Sequence, residues 1–279
     1  MVAQAETLVG ELQSSDSRQT RANSINWPTE AVNASASTKK TFVVVPAYNA
    51  EKKITSVMER VPSDVWERSV KFVIVNDGST DDTRTKIAEI QARWPESVSV
   101  IAKEQNEGYA RAQKDGFSKA LDAGADIIVL LHADCQYAPE LLPQLLAPLE
   151  DGSADIVQGS RMVNPRAALK GGMPFYKFLA NLSLSKLENF VYRLDFAEYH
   201  SGYMLYSRRA LETIPFHKLS DTFHFDGEML FVGAKKGLRV REIAIPTQYA
   251  DEESHLKPIQ YGFHVLGIML KYLMGKYNF

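Results

Sequence analysis

Residues 41–158 alternate between two kinds of apolar block. Short, β-branched runs occupy 41–46, 70–75, 98–102, 126–131 and 155–158. Their length and near-continuous apolarity predict strands buried on both faces. Between them apolar residues return at helical spacing, first Ile54, Val57, Met58 and Val61, then across 81–93, 109–123 and 139–149. Strand and helix thus repeat at roughly 30 residues per unit, which predicts an α/β fold with a mostly parallel sheet and helices on both faces. Past Gly159 the pattern loosens. A long helix is predicted over 173–194, with Leu179, Leu182, Leu187, Phe190 and Val191 on one face. Strands are predicted at 204–207 and 240–246, with a helix near 226–236 between them, extending the same sheet.

The two ends differ from this body. Residues 1–40 are rich in Ala, Ser, Thr, Gln and Asn. Their apolar residues, Trp27 among them, are too sparse to build a core, so the reading is a disordered tail without a targeting signal. The body spans 41–258. The last segment, 259–279, places Gln260, His264, Gly267, Lys271 and Gly275 on one helical stripe, and apolar side chains cover the rest. It is too polar to span a bilayer, and its apolar girth demands either burial or a membrane interface. No acidic residue follows Glu253, whereas Lys257, Lys271 and Lys276 do. That balance suits an anionic lipid surface.

Composition removes other classes. One cysteine excludes a disulfide scaffold and a Cys-rich metal site. A formal net charge of −2 argues against a nucleic-acid partner.

Polar clusters fall where the predicted strands end: Pro46-Ala47-Tyr48-Asn49, Asn76-Asp77, Asn106-Glu107-Gly108 and His132-Ala133-Asp134. In open α/β sheets ligands bind at this carboxyl edge. Asp77 lies in good turn chemistry, Asn-Asp-Gly-Ser, and an Asx turn is one account of it. Ser79, Thr80 and Asp81 suit a cap for the next helix. On an extended segment His132, Asp134 and Gln136 would share one side. Arg161, after the fifth strand, offers a guanidinium that can grip a phosphate through two N–H groups. Glu198, Asp226 and Glu228 are carboxylates able to meet a substrate, to cap helices or to pair with Arg208 or Arg209.

The ordered set Pro46-Ala-Tyr-Asn49, Val75-Asn-Asp-Gly-Ser-Thr-Asp-Asp-Thr83, Asn106-Glu-Gly-Tyr-Ala110, His132-Ala-Asp-Cys-Gln136, Gly159-Ser-Arg161, Ser201-Gly202 and Phe225-Asp-Gly-Glu228 resembles the family 2 inverting glycosyltransferases of GT-A fold. The nearest branch is the dolichyl- or polyprenyl-phosphate mannosyltransferase-like one. The resemblance covers about residues 41–256. It implies a metal-assisted hexosyltransferase that takes one sugar from a nucleoside diphosphate and delivers it to a lipid phosphate or lipid-linked acceptor. It implies a cytoplasmic protein, peripheral at the inner membrane face.

The resemblance also implies roles. Pro46, Tyr48 and Asp77 would frame the nucleoside. Asp134 and Gln136 match an Asp-x-Asp-x-Gln string that holds a divalent cation, Mn²⁺ or Mg²⁺, and His132 replaces its first aspartate. Histidine suits Mn²⁺ better than Mg²⁺. Arg161 and Lys177 would meet phosphates. Glu198, at the position of a family aspartate, would meet the acceptor or sugar as a catalytic residue, and Glu228 would line the acceptor side. The acidic stretch from Tyr249 to His255 lacks the basic loop of the family. Two further readings stay open on the sequence: the same donor with a soluble hydroxyl acceptor, and a catalytically weak nucleotide-sugar binder that works through a partner.

Overall fold

A computed structural model describes residues 39–68, 70–246 and 258–279. The expected tail with Trp27, the acidic stretch 249–255 and Lys257 lie outside the described residues. Among the described residues seven strands are present: β1 (Thr41–Ala47), β2 (Lys71–Asn76), β3 (Val98–Ala102), β4 (Ile127–Leu130), β5 (Ile156–Ser160), β6 (Met204–Ser207) and β7 (Val240–Ala244). They form one sheet in the order β3-β2-β1-β4-β6-β5-β7. Every residue of β4 and β5 is buried. Because successive side chains point to opposite faces, both faces of the sheet are covered.

The helices are α1 (Ile54–Glu59), α2 (Ser63–Glu67), α3 (Thr83–Arg93), α4 (Tyr109–Asp122), α5 (Leu142–Glu150), α6 (Pro165–Lys170), α7 (Phe175–Tyr192), α8 (Arg208–Thr213), α9 (Phe225–Lys235) and α10 (Pro258–Leu273). The alternation over 41–158 matches the sequence pattern. Two details differ. Pro46 does not end β1: the strand runs to Ala47, with Pro46 opposite Val75. Val44 O accepts Leu131 N, so Pro46, two residues on, turns its nitrogen to the same side. There β4 has already ended, and the missing N–H costs no ladder bond.

The second difference is topological. β6 lies between β4 and β5 and is antiparallel to both. β5 therefore runs parallel to β4, and β7 runs parallel to β5. The carboxyl ends of β1 to β5 and β7 share one edge with the amino end of β6. This brings Ser201-Gly202 to the same rim as Asp77, Asp134 and Arg161.

Helix α7 also departs from expectation. Its buried residues are Ser185, Glu188 and Tyr192. Of the residues read on one face of this helix, Leu179, Leu187 and Phe190 are exposed, Phe190 by 81 %. The sequence shows the apolar stripe of this helix but not which neighbour meets it. Helix α10 packs Val265, Ile268 and Met269 into the main core, against Tyr192, Phe231 and their neighbours. Its other side leaves Phe263, Leu266, Leu270 and Leu273 exposed. Among the described residues no helix is long and apolar enough to cross a membrane.

Gly78 shows why the turn after β2 needs its residue. Its φ is +67°, and an added Cβ would lie 2.3 Å from the Gln105 carbonyl carbon. Backbone cannot yield as a side chain can. Gly78→Ala is expected to lower the unfolding free energy by about 2 kcal/mol or more, read from the urea midpoint. A midpoint equal to wild type would show that the loop after β3 is free to move away.

Candidate active site

The rim is built by hydrogen bonds between loops. Asn76 Oδ1 accepts Ser79 N (3.1 Å), so the Asx turn belongs to Asn76. Asp77 is buried and reaches across instead. Its oxygens accept Glu107 N (3.2 Å) and Gly108 N (2.8 Å), and Lys103 Nζ lies 3.2 Å away. Gly108, at φ +101°, then starts α4 and places Tyr109 at the rim. Asp77 thus clamps the loop after β3, in addition to the nucleoside contact that the resemblance implies.

Of the three residues expected to cap α3, Asp81 does so, its Oδ1 accepting Thr83 N (3.1 Å) at the first residue of the helix, whereas Ser79 and Thr80 bond elsewhere. Ser79 Oγ accepts Asn49 N (3.1 Å), and Asn49 Oδ1 accepts Thr80 N (2.9 Å). Asp81 accepts Thr83 Oγ1 (2.6 Å) and Glu51 N (3.3 Å). These residues join the loops after β1 and β2. Beside them Pro46 is half-buried and Tyr48 is 47 % exposed at the end of β1. That leaves a ring edge open to a ligand.

The segment after β4 is not extended. Residues 133–137 form a turn, with Cys135 at φ +65°. Asp134 Oδ1 accepts Gln136 N (2.9 Å). The shared side predicted for His132, Asp134 and Gln136 is therefore absent. His132 and Asp134 are both half-buried and Gln136 is exposed, and His132 points at Tyr109. Its Nε2 lies 2.7 Å from the Tyr109 hydroxyl, which donates to Asp226 Oδ2 (2.8 Å). Tyr137 meets the imidazole edge-on, with ring centres 4.9 Å apart, and accepts Gly202 N (2.7 Å) through its hydroxyl. The partner of His132 is this tyrosine–aspartate pair, not Asp134. Burial lowers the pKa of the imidazole, and Asp134 partly opposes the shift. Burial also pushes the Asp226 carboxyl up to about 7 against the Tyr109 hydrogen bond.

This arrangement decides how a cation could be held. With His132 Nε2 turned to Tyr109, Asp134 is the hard anionic donor of the string, and the other imidazole nitrogen is the softer one. A Mg²⁺- or Mn²⁺-type ion is commonly held by one or two carboxylates together with the phosphates of its substrate. Asp134, with the exposed Gln136 amide near it, fits that mode.

Arg161, Glu198 and Asn181 form the second half of the rim. Glu198 is fully buried. Its Oε2 accepts Arg161 N (2.9 Å), and its Oε1 accepts Arg161 Nε (3.2 Å), Arg161 Nη2 and Asn181 Nδ2 (2.8 Å). Ser160 Oγ is 3.4 Å from Oε2. Burial by itself would raise the pKa of this carboxyl, but Arg161 and Asn181 bring it below the usual carboxylate range. Glu198 is expected to meet the acceptor or sugar, and the structure gives its protein partners. Its oxygens are filled by protein donors, and it aims the guanidinium. Arg161 Nη2 also donates to His200 O (2.8 Å).

Lys177 is half-buried in the first turn of α7, on the helix that supplies Asn181. Glu228 is not with the others. It accepts Ser220 N (3.0 Å) and bonds the Tyr277 hydroxyl, so it ties the loop before α9 to the C-terminal segment. Sequence reasoning missed Tyr109 and Tyr137, whose partners lie 23 to 117 residues away. Tyr109 stood in a quoted motif, and its place after a glycine that opens a helix was the available signal.

Residues 42–214 match the profile of glycosyl transferase family 2. The chain is similar to the UDP-N-acetylglucosamine–dolichyl-phosphate N-acetylglucosaminyltransferase of Methanococcus voltae, at 28 % identity over 85 % of this chain and 98 % of the relative. It is also similar to the polyprenol monophosphomannose synthase of Mycolicibacterium smegmatis, at 27 % identity over 74 % of this chain and 77 % of the relative. Among solved structures, glucosyl-3-phosphoglycerate synthase from Mycobacterium tuberculosis, in complex with Mn²⁺, UDP-glucose and phosphoglyceric acid, superposes with a TM-score of 0.60. Identity there is 19 %, over 84 % of this chain and 79 % of that one. That likeness establishes the GT-A fold.

Removing the charge of Glu198 leaves Arg161 facing a neutral amide in a buried setting. Glu198→Gln is expected to cost about 3–5 kcal/mol in chemical unfolding, and Glu198→Asp, which keeps the charge, less. Equal stability of Glu198→Gln and wild type would show that the pair does not hold this corner.

Proposed function

The chain belongs to glycosyl transferase family 2, and from that membership we propose that it moves one hexose, with inversion, from a nucleoside diphosphate donor to a lipid phosphate at a membrane face. The observation that carries the acceptor class is helix α7. Its inward side bears Asn181, which holds Glu198 and through it Arg161. Its outward side bears Phe175, Tyr176, Leu179, Leu187 and Phe190, all exposed. One helix therefore joins an anion-binding corner to an apolar surface. A lipid phosphate has both features in one molecule. Helix α10 packs against α7 and adds exposed Phe263, Leu266, Leu270 and Leu273, with Lys271 and Lys276 also exposed. The names of the relatives, which act on dolichyl phosphate or make polyprenol monophosphomannose, support the same class.

In this reading Tyr48, Pro46 and Asp77 receive the nucleoside. A divalent cation held by Asp134 and Gln136 would neutralise charge on the departing diphosphate. Arg161, oriented by Glu198 and the His200 carbonyl, grips the acceptor phosphate, with Lys177 as a second cation one helix turn from Asn181. Electrostatic stabilisation by fixed donors of this kind needs no reorganisation during transfer. A phosphate acceptor is already ionised near neutral pH, so no general base is required. This agrees with a Glu198 whose oxygens are occupied. His132, held by Tyr109 and Asp226, keeps the segment before Asp134 in place rather than ligating the cation.

Two measurements test the reading. Transfer from a panel of radiolabelled nucleotide sugars to a polyprenyl phosphate in vesicles is expected to give a lipid-linked sugar. Asp134→Asn should lower kcat by about 100-fold or more, the scale of losing one principal charge-stabilising group. Transfer only to a water-soluble hydroxyl compound would replace the acceptor class. In flotation, the full chain is expected to rise with anionic vesicles, and more weakly at high salt. A variant with Phe175, Phe190, Phe263 and Leu270 all changed to Ser should stay with the soluble fraction while its circular dichroism is unchanged. Equal flotation of the two proteins would remove the membrane role of these helices.

A further inference from the structure

Behind the Arg161 corner lies a second cluster that the proposed reaction does not use. Glu188, on the inward side of α7, is fully buried. Its Oε2 is 3.1 Å from His200 Nε2, and its Oε1 is 3.0 Å from His224 Nε2. Such distances would suit hydrogen bonds, yet none of these four atoms has a hydrogen-bond partner of acceptable geometry. An imidazole N–H lies in the ring plane, and a bond needs it aimed at the acceptor. Here the lines miss. Four buried polar atoms converge without being bonded, an arrangement that is costly when nothing lies between them.

The far edges of the two rings are satisfied. Tyr261 Oη lies 2.8 Å from His200 Nδ1 and 3.0 Å from His224 Nδ1. A phenol oxygen has two lone pairs and can accept both N–H bonds. In that tautomer each Nδ1 carries the proton and each Nε2 presents a lone pair toward the carboxylate. Two lone pairs and an anion then face one another in a dry pocket. That is a donor set for a cation. A histidine that ligates through Nε2 usually has its other nitrogen fixed by an outer hydrogen-bond acceptor. Tyr261 stands in that position for both rings.

We propose that Glu188, His200 and His224 bind a divalent transition-metal ion, Zn²⁺ by first preference, at a site separate from Asp134. Two imidazoles and a carboxylate suit Zn²⁺ and other borderline ions, whereas Mg²⁺ prefers oxygen. Ligand atoms about 2.0–2.2 Å from a shared ion lie around 3–3.5 Å from each other, close to the contacts seen here. The three candidate ligand atoms all fall within 4.8 Å of one another. They come from α7, from the segment before β6 and from the residue before α9, and Tyr261 belongs to α10. An ion here joins four parts of the chain. It also fixes the residue whose carbonyl holds Arg161. Its role is structural and positioning, and it stands independently of the acceptor assigned above.

The test is direct metal analysis of the full chain, purified without a histidine tag or chelator. About one zinc per chain is expected by plasma mass spectrometry. Asp134→Asn should keep that metal, and Glu188→Gln or His224→Gln should lose it. Tyr261→Phe, which removes only the outer support, is expected to weaken zinc binding by about 10-fold or more. Should the ligand variants fail to fold, the wild-type chain still decides. Growth in cobalt should yield a protein with the visible absorption of a nitrogen-ligated Co²⁺ site, and a chelator should lower Tm until Zn²⁺ is restored. A chain that purifies without transition metal, gains no Tm with added Zn²⁺ or Mn²⁺ and shows no cobalt spectrum overturns the proposal. Metal that disappears with Asp134→Asn but survives His224→Gln overturns it equally.

Discussion

A buried carboxylate must be matched by donors or it will not remain charged, and Glu198 imposes that condition on half of the molecule. It draws the main chain and guanidinium of Arg161 from the end of β5, and Asn181 from α7. Its own backbone is held in turn: Glu242 on β7 accepts Ala197 N (2.8 Å) and Glu198 N (3.2 Å). Three elements and the approach to β6 therefore meet at one side chain. The guanidinium that results points in a direction set by the fold rather than by its ligand. Preorganisation of this kind is what an arginine needs to meet the phosphate proposed for it.

Much of this was legible in the chain. The β-branched runs at 41–46 and 126–131 have one physical explanation, burial on both faces, and they became β1 and β4. Polar clusters after such runs fall at one sheet edge by topology alone. What could not be read was long-range choice. Nothing local says that β6 inserts antiparallel between β4 and β5. Nothing near His132 says that its partner is a tyrosine at the start of α4, itself bonded to Asp226, 117 residues from that tyrosine. Periodicity marked α7 as a helix and drew its apolar stripe, but a stripe does not name its solvent. The polar stripe of Asn181, Ser185 and Glu188 at spacings of four and three was equally visible in the sequence. A polar stripe of this kind ordinarily faces water, since buried polar residues are rare unless they have partners.

The turn of His132 toward Tyr109 also bears on the chemistry of the rim. A string with two aspartates grips a cation before any substrate arrives. With Asp134 as its principal anion, this rim would hold one weakly until a diphosphate adds its own oxygens. Donor and ion would then assemble together, each raising the affinity for the other by the same factor.

The inverted helix α7 has a consequence for how the molecule behaves outside its proposed setting. In plain buffer Phe190 and Phe263 lie against water, and exposed apolar surface of this kind favours association with whatever can cover it. Dilution and detergent are therefore expected to change the apparent mass of the chain without any change in its fold. Colloidal behaviour usually treated as a nuisance of handling is, for this protein, a readout of which side of α7 the core has claimed.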